Sequence, residues 1–152
     1  MIGEDGVLKA REIIRELELD NARLSKRQTE DSIISTDSPL LFESLTRLTK
    51  DNLDSLNAEM RLVGDHAFTF TPAGCEFSFG RKLTPIFIRK VMFRQASREV
   101  IVRTTIIRRH PPQEVVEKTW RFGVEHGDLI LDGKNVAECA NALLCGVEKA
   151  FR

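Results

Sequence analysis

The chain has no tyrosine, one tryptophan and three cysteines in 152 residues. Without tyrosine it is short of the exposed rings on which single-stranded nucleic acids stack. Cys75, Cys139 and Cys145 are odd in number and show no C-x-x-C spacing. That argues against a disulfide framework and fits a reducing, cytoplasmic compartment with thiols used as small apolar groups. On one helix Cys139 and Cys145 would point about 120° apart, too far to chelate one metal. Neither charge sign is in excess: Lys plus Arg is 23 and Asp plus Glu is 23. The balance excludes a highly basic nucleic-acid packager. No apolar run approaches the ~18–20 residues of a membrane span. The start, Met1-Ile2-Gly3-Glu4-Asp5, is acidic where a secretory signal is basic and then apolar. A glycine-rich phosphate loop, a G-x-S-x-G elbow and an H-E-x-x-H helix are all missing.

What is there begins with segregated charge. Residues 1–66 carry 9 basic and 14 acidic side chains, whereas residues 81–121 carry 11 basic and 3 acidic ones. The basic middle either lies beside the acidic ends and is neutralised, or forms an anion-binding surface.

Residues 7–27 read as a helix. Val7, Ile14 and Asn21 share one heptad position, and Ala10, Leu17 and Leu24 the other seam position. A polar residue at an a position is a device that fixes register and strand number. The helix either pairs with another copy, lies on its own body or stays a mobile arm. Residues 28–38 are polar and read as a linker, so residues 1–38 form an arm and 39–152 a body. Ser38-Pro39 has the pattern of a helix start. Leu41, Leu45, Leu48, Leu56, Met60 and Val63 then give an amphipathic helix over 39–63, with a kink expected near Thr49–Asn52 and a stop at Gly64.

The remainder alternates with period two. Phe68 and Phe70 pair with Phe79 and Phe77 across a turn at Ala73-Gly74. Strands 85–94 and 99–109 flank the loop Gln95–Arg98, which sets Lys90 opposite Arg103 and Ile88 opposite Thr105. Pro111-Pro112 ends that hairpin. A third hairpin turns at His126-Gly127, pairing Val124 with Leu129 and Phe122 with Leu131. Asn135 and Glu138 form a variant capping box for a final helix over 135–151, with Gly146 in its interior for close approach. The expected fold is α+β: a twisted antiparallel sheet of about six strands in three hairpins, two helices packed on one face, and an N-terminal helical arm.

Three functional readings follow. The hairpin 86–107 is apolar on both faces, which a strand pair with one wet face is not. Ile86, Ile88, Met92, Ile101 and Ile107 on its rear would leave an interface-sized patch. With Ile14, Leu17 and Leu24 of the arm, they make a non-catalytic self-association or protein-binding module the leading expectation. Its partner is another copy or another protein. The second reading is a pocket between sheet and helices for a small hydrophobic or anionic ligand. Arg89 and Thr104 are then the lone polar pair on an apolar wall. The third reading is nucleic acid, or another anion, on Lys90, Arg103, Arg108 and Arg109. It is the least favoured, because Phe68, Phe70, Phe77, Phe79, Trp120 and Phe122 fall on core faces. Like charges at Lys90 and Arg103 destabilise a ladder unless an anion relieves them. His66, His110 and His126 sit at strand ends or turns with no fixed mutual distance, and Cys75 alternates with buried phenylalanines. No catalytic residue, metal, cofactor or membrane contact is therefore expected.

Overall fold

A computed structural model describes residues 3–61, 64–71, 74–108 and 113–151. The order is α1 (Glu4–Met60), β1 (Ala67–Thr71), β2 (Cys75–Arg81), β3 (Thr84–Arg94), β4 (Glu99–Ile106), β5 (Glu114–Glu125), β6 (Asp128–Leu131) and α2 (Val136–Leu144). A short 3₁₀ turn, Val147–Phe151, follows. The strands form one antiparallel meander, each beside its sequence neighbours. The α+β class and the packing of two helices on an antiparallel sheet are as expected.

Three hairpin registers follow from alternation and loop length. Phe68 opposes Phe79 and Phe70 opposes Phe77. Lys90 opposes Arg103 and Ile88 opposes Thr105. Val124 opposes Leu129 and Phe122 opposes Leu131. His126 and Gly127 have φ of 52° and 79°, the paired positive angles of a tight hairpin turn. Val63, Pro72, Ala73, Pro111 and Pro112 lie outside the described residues.

The helices depart from expectation in two places. Residues 28–38 are not a linker, and Ser38-Pro39 is not a helix start: α1 runs unbroken through both. An interior proline costs about 3 kcal/mol relative to alanine. That cost is offset because Ile34, Ser38, Leu45, Thr49 and Leu53 form one buried stripe. Each large apolar member contributes roughly 1.5–3 kcal/mol. The kink expected near Thr49–Asn52 is replaced by continuous helix. Thr49 is fully buried, and its hydroxyl donates to the Leu45 carbonyl at 2.7 Å. A buried hydroxyl satisfied within its own helix does not interrupt the stripe.

The final helix is shorter than 135–151. Its start is as read, with Asn135 and Glu138 in a reciprocal capping box. It stops at Leu144 because Gly146 turns left-handed, at φ 89°. The chain then re-enters as the 3₁₀ turn that buries Val147.

The core fills the sheet's front face beneath α2 and the C-terminal half of α1. Phe77, Phe87, Leu45, Leu53, Leu131 and Leu143 are its largest fully buried members. Phe42 of α1 stacks on Phe93 of β3, with ring centroids 5.3 Å apart. Asn57 ties α1 to the edge strand β1. Its Nδ2 donates to the Phe68 carbonyl at 2.8 Å, and its Oδ1 accepts from the Phe68 amide at 2.7 Å. Phe68 thus has both backbone groups satisfied on the sheet's open side.

Candidate functional site

The most conspicuous surface belongs to α1. Every described residue from Gly3 to Thr29 is exposed, and burial begins only at Glu30 and Ile34. The helix therefore projects about 40 Å clear of the body, at 1.5 Å per residue. Val7, Ile14, Leu17 and Leu24 stand 41–56% exposed along it. Ala10 and Asn21 complete the heptad seam, and Ile13 widens it. Asp31 anchors the base of this segment by an ion pair from Arg98, at 2.5 Å. The arm is thus neither packed on its own body nor joined through a linker.

The rear of the β3–β4 hairpin is less open than its residue types suggest. Among the described residues α1 packs mainly on α2, β1, β5 and β6, and its Phe42 meets β3 on the front face. Ile86, Ile88, Met92 and Ile107 are nonetheless half-buried, and Ile101 is only 7% exposed. Ile101 lies between Met92 of β3 and Thr119 of β5 in the ladder. On the same face a charged row crosses four strands, in which Glu76 opposes Lys90, Lys90 opposes Arg103 and Arg103 opposes Glu117. The order acid, base, base, acid neutralises the two facing cations. Arg103 Nη2 reaches Glu117 Oε1 at 2.6 Å, and Arg108 Nη2 reaches Glu114 Oε2 at 2.7 Å. These exposed pairs contribute at most about 1 kcal/mol each, but they occupy two of the cations that an anion would need. Arg109 and His110 lie outside the described residues.

Arg89 and Thr104 meet on the front face, where Arg89 Nε donates to Thr104 Oγ1 at 2.9 Å. The same guanidinium donates through Nη1 to the carbonyls of Leu143 at 2.6 Å and Cys145 at 2.8 Å. It lies 4.9 Å from the centroid of the Phe87 ring. Helix C-termini carry unpaired carbonyls and partial negative charge, so a cation there caps α2. Burial lowers the Arg89 pKa from its ordinary value, with Cys145 and Glu148 opposing that shift. Beside this arginine lies an open cleft of about 610 Å³, lined by Phe87, Trp120 and Leu143 and by the charged Lys118, Lys134 and Glu148. The sequence isolated the Arg89–Thr104 pair, but the backbone carbonyls that Arg89 binds have no signature in residue types.

Cys75 and Cys139 are buried, and Cys145 is exposed. Burial pushes the thiols of Cys75 and Cys139 up to about 11. A thiol so raised is a poor nucleophile near neutral pH. His66 stacks on Phe79 and meets Phe151 at a tilt, with ring centroids 5.7 and 5.8 Å away, and its Nδ1 lies 3.3 Å from Asp65. His126 is exposed beside Glu125. Among the described residues no three His, Cys, Asp or Glu side chains stand close enough together to hold a metal ion. No helix there is long and apolar enough to cross a membrane.

Comparison with known proteins adds no relative: no family model matches the chain, and neither a curated protein nor a solved structure does.

Proposed function

We propose that this protein is a non-catalytic self-association module whose free α1 segment, residues 3–29, pairs with another chain. The observation that carries the reading is an apolar heptad seam with nothing of its own body against it. In proteins most helix stability comes from packing an amphipathic face, which residues 3–29 lack within their own chain. A partner helix covering Val7, Ile14, Leu17 and Leu24 supplies that packing at roughly 1.5–3 kcal/mol per buried large side chain. The half-buried rear of β3–β4 is a lesser, adjoining surface.

The test is light scattering on the full chain and on an Ile14→Lys/Leu17→Lys variant. Both positions are exposed, so the body should melt at an unchanged temperature. The full chain is expected as a dimer or larger, and the variant as a monomer. A monomeric full chain overturns the proposal, as does a variant of unchanged mass. A small ligand in the cleft beside Arg89 is the second reading, supported by that cleft's size. It ranks lower because Arg89 is already engaged with Thr104 and the α2 carbonyls.

A further inference from the structure

Resting on that reading, we infer that two copies pair their α1 segments antiparallel, with Val7 against Leu24, Ala10 against Asn21 and Ile14 against Leu17. The charge pattern along the exposed segment separates the two possible directions. In a parallel pair, the acidic tip Glu4-Asp5 lies beside its own copy, and the basic stretch Lys26-Arg27 does the same. Flanking a parallel seam, Arg11 faces Gly6, Glu18 faces Ile13 and Ser25 faces Asp20, so no opposite charges meet.

Reversing one helix brings opposite charges to the same level along the pair. Arg11 then flanks the seam opposite Glu18 of the second copy, and the acidic tip Glu4-Asp5 lies level with the partner's basic Lys26-Arg27, outside the seam itself. By two-fold symmetry each of these pairs occurs twice. In this direction the two positive helix N-termini also lie about 35 Å apart, at 1.5 Å per residue, rather than side by side. Asn21 faces the small Ala10, which leaves its amide room to reach water.

Length supports the same arrangement. The overlap that stacks these layers runs from Glu4 to Arg27. That uses nearly all of the exposed stretch and stops short of Glu30, where α1 meets the body. The tip of each arm then ends beside the base of its partner's arm, and the two bodies sit at opposite ends.

Single cysteines in a Cys145→Ser background test the direction, because Cys75 and Cys139 are buried and inert. Chains carrying Val7→Cys or Leu24→Cys are oxidised separately and as a mixture. Disulfides need Cα atoms within about 7 Å. In the antiparallel pair Leu24 of one chain is about 25 Å from Leu24 of the other, at 1.5 Å per residue. The expected result is a cross-linked dimer as the major product of the mixture and none in either chain alone. Cross-linking of each chain alone means parallel pairing and overturns the direction while leaving self-association intact. A dimeric mass with no cross-link in any sample places the contact elsewhere and also overturns it. A monomeric mass throughout removes the self-association on which it rests.

Discussion

Asn57→Ala should be among the most costly substitutions at a partly exposed position. Its amide makes two short bonds to the backbone of Phe68, one in each direction. Phe68 is itself only 9% exposed, so water replaces those partners poorly. Each lost bond removes about 1 kcal/mol, and a buried group left unpaired costs about 1–3 kcal/mol, which puts the total near 2–4 kcal/mol. For a chain of this size each kcal/mol lowers Tm by about 2–4 °C, so a drop of roughly 5–15 °C is expected. Urea unfolding measures the energy, and hydrogen exchange at the Phe68 amide locates it. Asn57→Asp keeps the acceptor but loses the donor, so it should fall between wild type and Asn57→Ala. The reasoning fails if Asn57→Ala costs under about 0.5 kcal/mol, or if protection at Phe68 survives while stability drops.

Gly80→Ala should destabilise by several kcal/mol. Gly80 sits at φ 156°, where a Cβ would lie 2.6 Å from the Thr84 carbonyl and 2.8 Å from Pro85 Cα; denaturant titration checks it. Native iodoacetamide labelling at pH 8 should modify Cys145 alone, with Cys75 and Cys139 reacting only after unfolding, as read by mass spectrometry. The raised thiols also set an alkaline limit. Their folded pKa of about 11 exceeds the ordinary 9.0, so their contribution is intact below pH 9 and lost as pH climbs through about 11. A melting temperature that is flat from pH 9 to 11 would contradict this. Ile101→Glu should cost about 3 kcal/mol or more by burying a carboxylate, whereas Ile88→Glu, at a half-buried site, should cost clearly less. Equal losses in urea would refute the lateral shelter of Ile101.

The strands were legible in the sequence because a period-two pattern and a loop length together leave one register. Gln95–Arg98 put Lys90 opposite Arg103, as the structure has it. What relieves those cations was not legible, because Glu76 and Glu117 enter only through the pairing of neighbouring hairpins. The length of α1 is hidden in the sequence for a physical reason. Two of its buried stripe positions are Ser38 and Thr49, small and polar, and Pro39 imitates a start. Val147 and Phe151 continue the helical stripe of Val136, Ala140 and Leu143 in the sequence, and only the positive φ of Gly146 shows the break. Asn57 carried no pattern at all, since its partner is backbone. The heptad of the arm is legible in the sequence, whereas its freedom from the body depends on where the packed stripe begins, at Ile34.

Sedimentation equilibrium of the unmodified full chain tests the central claim most directly. The account predicts a mass near twice the 17.3 kDa of one chain, falling toward one chain on dilution or on Ile14→Lys/Leu17→Lys substitution. A single-chain mass at every concentration up to the millimolar range would contradict it.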